Sequence, residues 1–462
     1  MAIQKIISPI DGSIMAERET LSGSKRDAVL DTAVVATRDW RQTPLSERID
    51  ICEKAVTWFC DNTDAIALEL TMQMGRPITY APFEITRGFQ ERARHMASLA
   101  PSVLADIAAP TKPGFTRFVR REPVGIVLVV APWNYPYLTC VNTIIPALLA
   151  GNSVILKHAT QTLLCSERYA EAFAAAGLPE GVFQAIHATH SDIAAMIEDS
   201  RTGFVSFTGS VEGGKSIQRA ARERFIGTGL ELGGKDPSYV RADCDLEFAV
   251  AENVDGAFFN SGQSCCGIER IYVNEAVYDQ FVEGFVDLAR GYVLGDPRDT
   301  ATTIGPMVNV SSAEFVRGQI AEAIASGATA LVSEKDFTTS DLGTPYLGPT
   351  VLVDVDHSMS VMKEESFGPV VGIQKVSTDA EAVALMNDSN YGLSASIWST
   401  DVDTAFQLGN QIETGTVFLN RCDYLDPSLA WTGVKDTGHG VTLSPLGFDA
   451  VTRAKSFHFR LP

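Results

Sequence analysis

Glu231 and Cys265 are the two residues whose types and settings could do chemistry together. Glu231 lies in LELGGKDP (residues 230–237) and Cys265 in FFNSGQSCCGIER (residues 258–270). A cysteine attacks as the thiolate, and an ordinary thiol, with a pKa of about 8.5, needs a base or an activating environment. None of the seven histidines stands in a local setting that suggests a partner for Cys265. A carboxylate can serve if its surroundings raise its pKa toward neutrality. Covalent thiol catalysis with a Glu base is the chemistry this pair implies. A cysteine can equally be a small buried apolar residue. What sets Cys265 apart is Gly262 and Gly267 around it, and Gly233 and Gly234 directly after Glu231. Glycine lets a backbone come close to a ligand.

The chain that must position this pair has 462 residues, too many for one ordinary core, so two or three domains are expected. Its 45% hydrophobic and 20% charged content are those of a globular protein. A net charge of −20 argues against nucleic acid or an anionic membrane as partner. The start, MAIQKIISPIDG, has no long apolar stretch, and the most apolar run, residues 125–131, is too short to cross a bilayer. Eight cysteines are too few for a disulfide scaffold, and a reduced, cytoplasmic setting is expected. No Cys/His spacing reads as a metal site.

Residues 24–40 and 46–74 carry apolar side chains at helical spacing. After about residue 115, short apolar runs alternate with helical stretches: 124–130, 153–156, 183–186 and 204–207, then 270–273, 329–331, 348–353, 370–376, 394–398 and 417–419. Apolar strands separated by helices indicate parallel sheets covered on both faces. In such sheets ligands sit where strands end. Here those ends carry Trp133–Asn134, Lys157 and Thr208–Gly209–Ser210. The glycine-rich turn at Gly209–Gly214 opens a helix, where backbone N–H groups suit a pyrophosphate. Ser210 could meet the phosphates or simply cap the helix.

The two segments around Glu231 and Cys265 resemble the signature motifs of the aldehyde dehydrogenase superfamily. TGSVEGG (208–214), APWNYP (131–136), EESFGPV (364–370) and NYGLSASIW (390–398) match further family motifs in the same order, so the resemblance spans nearly the whole chain. It implies an α/β fold with a Rossmann-like cofactor domain (1–104 and 124–233), a second α/β catalytic domain (234–436) and a β-arm (105–123 and 437–462). That arm would pair with a neighbouring subunit in a homodimer or homotetramer.

The resemblance also assigns roles. Cys265 would be the nucleophile, Glu231 the base that activates water, and Asn134 an oxyanion donor with the Cys265 backbone N–H. NAD or NADP would be held by Trp133, Lys157, Thr160, Gly209, Ser210, Gly214, Glu365 and Phe367. Many NAD-using family members carry Glu where this chain has Thr160. A neutral hydroxyl there, with Lys157 and His158 near it, would not repel a 2′-phosphate. Tyr135, Asn142, Ser264, Cys266, Asp423, Leu425 and Trp431 would line the substrate tunnel, and the polar ones hint at a small polar aldehyde. Competing possibilities are a CoA-acylating semialdehyde dehydrogenase, which usually lacks the LELGG Glu, a thiol hydrolase, and a non-catalytic protein of the same fold.

If the motif register is right, Cys265→Ser loses roughly three orders of magnitude of aldehyde-oxidising turnover or more, while Cys266→Ser keeps much of it. NAD(P)H formation at 340 nm checks this; an essential Cys266 beside a dispensable Cys265 would shift the nucleophile by one position.

Overall fold

The computed structural model describes residues 2–462 and contains two large sheets. The first has β1 (Ile126–Val130), β2 (Ser153–Lys157), β3 (Phe183–Ala185), β4 (Thr202–Thr208) and β5 (Gly227–Glu231), all parallel, in the order β5-β4-β1-β2-β3. Every residue of β1 and β2 is buried, which is why both read as unbroken runs rather than alternating ones. The strand order reverses between β1 and β4. Their carboxyl ends carry Pro132–Asn134 and Gly209–Ser210, at the position where open α/β sheets bind ligands.

The second sheet has β6 (Asp236–Val240), β7 (Ile268–Asn274), β8 (Thr329–Val332), β9 (Thr350–Val353), β10 (Val370–Val376), β11 (Ser394–Trp398) and β12 (Thr416–Leu419). Its order is β8-β9-β10-β7-β6-β11-β12, and only β8 runs antiparallel, at an edge. Residues 232–235 join the sheets directly: Glu231 ends β5 and Asp236 begins β6.

Several elements differ from the sequence expectations. β5 (GTGLE) and β6 (DPSYV) do not read as strands, because Gly, Asp and Pro break the apolar run. The N-terminal part is not wholly helical: Ile3–Ile7 and Ile14–Glu19 form an antiparallel hairpin, with Gly12 at φ +74° in the turn. The helical stretch 46–74 is two helices, Leu45–Asp61 and Thr63–Met74. At the break the Asn62 side chain donates to the Trp58 carbonyl (2.7 Å) and competes with the helical pattern.

Phe115–Pro123 pairs along its length with Thr452–Arg460, with Ile107–Ala108 as a third strand. This β-arm begins later at its C-terminal side than residue 437. Gly438–His439 pairs instead with the edge of β5, and Leu443, Phe448 and Val451 are buried in the core of the first sheet.

Candidate active site

The Glu231 and Cys265 segments meet because glycines allow their backbones to touch. A Cβ at Gly234 would overlap the Cys265 carbonyl oxygen, one at Gly233 the Glu365 carboxylate, and one at Gly262 the Gly368 carbonyl. These glycines therefore admit other parts of the protein, where the sequence suggested a ligand. The turn before Cys265 is left-handed at three successive residues, Asn260 (φ +55°), Ser261 (+58°) and Gly262 (+68°). Buried hydrogen bonds hold it: Asn260 Nδ2 donates to the Gln263 carbonyl (3.2 Å), and Gln263 Oε1 accepts from Val308 N (2.8 Å). Such a conformation in non-glycine residues persists only where the surroundings over-determine it.

A cleft of about 650 Å³ runs from Cys265 along the ends of β1, β2 and β4. It brings together Trp133, Asn134, Lys157, Thr160, Gly209, Ser210, Glu365 and Phe367 from the expected set. Trp133 and Phe367 meet edge to face, centroids 5.5 Å apart. Ser210 caps the helix Val211–Ala221 by accepting from Gly213 N (3.2 Å) and also lines the cleft, so it meets both sequence expectations of place.

Two expectations for this cleft do not hold. Gly214 does not line it: a Cβ there would run into Leu232, so its small size serves helix packing, and Gly213 faces the cleft instead. His158 points into the core, where it is buried with Nε2 3.4 Å from the Cys140 sulfur. Burial and the neighbouring Lys157 hold its pKa down at about 3, so it brings no cation to the ribose. His190, which sequence patterns did not single out, lies on the cleft wall.

Lys157 is 5% exposed, and among the described residues no carboxylate pairs with it. Burial lowers its pKa. A desolvated cation on the cleft wall suits a nucleotide's ribose or phosphate oxygens. Glu365 accepts a hydrogen bond from Gly234 N (2.9 Å), and burial, with the charge of Glu269, pushes its pKa up to about 7. The loop carrying Glu365 and Phe367 is tied down by a buried ion pair unforeseen in the sequence. Lys235 Nζ donates to Glu269 (2.6 Å), and Glu269 accepts from Ser366 N and Phe367 N (2.8 Å each). These residues fit a dinucleotide: helix-start N–H groups, a free buried cation and a carboxylate able to accept ribose hydroxyls.

Beside the thiol loop, Asn134 is buried and spends one Nδ2–H on the Gln263 carbonyl (3.2 Å), leaving the other unspent. Arg76 donates to the Asn134 carbonyl, to Glu84 and to Asn260 Oδ1 (3.0 Å). Glu84 in turn accepts from Tyr137 N (2.8 Å) and Leu138 N (3.1 Å), at the start of the helix Pro136–Leu149, where a carboxylate is favoured. This buried network fixes Asn134 and the thiol loop relative to each other.

Glu231 is not hydrogen-bonded to Cys265. Its carboxylate accepts from Thr442 Oγ1 (2.6 Å) and Thr208 Oγ1 (3.3 Å) and opens onto a separate cavity of about 790 Å³. Burial raises its pKa, as a general base requires. The placement favours activation of water over deprotonation of the thiol. Cys266 donates to Asp423 Oδ1 (2.8 Å), as does Ser264 (3.1 Å). Its contact with Cys265 and its burial hold the Cys266 thiol well above the ordinary range, which disfavours it as the nucleophile. Leu425 and Trp431 pack in the same apolar cluster as Cys266. Tyr135 lies under Arg76, 4.6 Å from its ring centroid, and Asn142 Oδ1 is 3.4 Å from Arg92 Nη1. Arg92 escaped the sequence reading, although a cation on the apolar stripe of a helix was a visible signal.

The comparisons with known proteins agree with this geometry. The model of the Aldehyde dehydrogenase family matches residues 2–457. Succinate semialdehyde dehydrogenase [NAD(P)+] Sad of Escherichia coli is 33% identical over 96% of this chain and 94% of its own. An aldehyde dehydrogenase of Paenarthrobacter nicotinovorans is 34% identical over 97% and 98%. The crystal structure of succinic semialdehyde dehydrogenase from Streptococcus pyogenes with NADP+ superposes with a TM-score of 0.94 at 28% identity, covering 99% of this chain and 100% of that one. The chain belongs to the aldehyde dehydrogenase family. It is an oxidoreductase that converts an aldehyde to the carboxylic acid with a nicotinamide cofactor.

If Glu365 holds the cofactor ribose, as the family resemblance implies, cofactor binding is expected to depend on pH. Its pKa, raised to about 7, leaves it protonated on the acid side of neutrality. A cofactor whose ribose hydroxyls donate to it binds the ionised form, so affinity rises with pH and levels off above the free-protein value. The cofactor KM is expected to climb up to about tenfold per pH unit below neutrality and to flatten by pH 8. Glu365→Gln removes the slope; a wild-type KM that is flat from pH 6 to 8 contradicts the assignment.

Proposed function

We propose that this enzyme oxidises a small polar aldehyde through a covalent adduct on Cys265 and accepts NADP at least as readily as NAD. One observation carries this: Cys265 lines the nucleotide cleft, while half-buried Glu231 lines a second cavity. The two half-reactions thus have separate approaches. The Cys265 thiolate adds to the aldehyde carbon. The free N–H of Asn134 and the Cys265 backbone N–H hold the developing alkoxide, each donor contributing roughly 3–4 kcal/mol. The nicotinamide ring, when bound, takes up the hydride. Cys265 is then left as a thioester. Glu231 draws a proton from a water entering by its cavity, and that water releases the acid. The presence of Glu231 favours hydrolysis over transfer to CoA.

In this reading residues 1–104 and 124–233 form the cofactor domain and 234–436 the catalytic domain. The β-arm pairs with a neighbouring subunit of a homodimer or homotetramer. All eight cysteines are unpaired, which fits a reducing, cytoplasmic compartment. No helix among the described residues is long and apolar enough to cross a membrane.

Glu231→Gln is expected to lower steady-state turnover by about 10²- to 10⁴-fold, yet to leave a rapid first burst of NAD(P)H of one per active site. Stopped-flow absorbance distinguishes the two phases, and unchanged steady-state turnover would remove Glu231 from the mechanism.

Thr160, at the cleft edge, faces the 2′-phosphate question. Thr160→Glu is expected to cut kcat/KM for NADP at least about tenfold more than for NAD, because only NADP brings a second anion against the new carboxylate. An unaltered NADP/NAD ratio would place Thr160 away from the ribose.

A further inference from the structure

The helix Gln90–Val103 turns Ala93, Met96, Ala97 and Ala100 into the core of the first sheet. Arg92 lies on that same face and is 5% exposed. Its Nη1 donates to the Leu138 carbonyl (2.9 Å) and reaches Asn142 Oδ1 at 3.4 Å, while its Nε has no partner. Among the described residues no carboxylate forms an ion pair with it, although Arg76 on the neighbouring loop has Glu84. Two more buried polar atoms beside the thiol loop lack partners: Asn142 Nδ2 and the Tyr135 hydroxyl. An unpaired buried guanidinium costs several kcal/mol, and three unsatisfied donors in one region mark the absence of an acceptor rather than a packing accident.

The acidic groups in the field of Arg92 do not fill that role. Glu91 accepts from the Tyr424 hydroxyl at the surface. Asp423 is engaged by Ser264 and Cys266, and Glu231 by Thr442 and Thr208. Burial raises the pKa of both Asp423 and Glu231, and neither carboxyl is hydrogen-bonded to the guanidinium, whose partners are the Leu138 carbonyl and Asn142. A planar fork with unspent N–H bonds matches a carboxylate.

We propose that Arg92, with Asn142 beside it, reads the far end of the substrate, and that this end is a carboxylate: the enzyme takes a short aldehyde that is also an acid. This rests on Cys265 being the aldehyde-binding thiol. It assigns the polar end of the pocket to a residue from a different helix than the ones expected to line the tunnel.

Steady-state kinetics of wild type, Arg92→Met and Arg92→Lys with 4-oxobutanoate, its methyl ester and butanal test the proposal. The readout is the ratio of kcat/KM for the acid over butanal within one preparation, so partial misfolding cancels. The wild type is expected to prefer the acid over its ester. Arg92→Met is expected to lower the ratio roughly 10- to 100-fold, through KM for the acid rather than kcat. Arg92→Lys is expected to recover part of it, since it keeps the charge and loses the fork. If Arg92→Met is inactive on every substrate, the ratio in Arg92→Lys decides, and it must still fall below wild type. Equal losses on acid and butanal, or a wild type that takes ester and acid alike, overturn the role of Arg92 and leave aldehyde oxidation standing. A wild type that reduces neither NAD nor NADP with any aldehyde overturns the underlying reading and this one with it.

Discussion

The site depends on one close approach: the backbone of residues 232–235, crossing between the two sheets, packs against the Cys265 carbonyl at Gly234. No side chain fits in that gap. Because Glu231 ends a strand of one sheet and Asp236 begins a strand of the other, the crossing cannot move without moving both. The thiol loop and the Glu231 segment are therefore both tied to the two large sheets. The Glu365 loop joins them through Gly233 and Gly262, so three motifs distant in sequence share one set of contacts.

Charge is placed with the same economy of position. Lys235 and Glu269 are fully buried and matched, and Glu269 spends its remaining lone pairs on two backbone N–H groups. Arg76 and Glu84 are likewise matched, and their spare bonds hold Asn134 and the start of a helix. A buried pair stabilises little against an apolar replacement, yet loss of one member is costly. Such pairs hold geometry firmly. Against them, the groups left unmatched are informative: Lys157 on the cleft wall and Arg92 beside Asn142. Burial raises the pKa of Glu231, Glu365 and Asp423 alike, so the acids of the site hold their protons more tightly than exposed carboxylates do.

The family, the two-sheet α/β architecture and most of the residues that meet in the Cys265 cleft were legible in the amino-acid sequence, because each depends on local pattern. Buried parallel strands such as β1 and β2 are continuous apolar runs, and glycines mark the turns that close-packed backbones require. Where local pattern is weak, reading failed: β5 and β6 are interrupted by Gly, Asp and Pro, and they form because flanking strands pair with them. His158 adjoins Lys157 in the chain, but successive residues leaving a strand face opposite ways, so one reaches the cleft and the other the core. Gly213 and Gly214 exchange roles for the corresponding reason on a helix. The sequence by itself determined which residue types were available and in what order. Only the tertiary structure decided which of them meet: Thr442 and Thr208 on Glu231, Glu269 on Lys235 and Arg92 beside Asn142 are contacts between segments 23 to 211 positions apart, set by how sheets and helices pack, and no local periodicity encodes that.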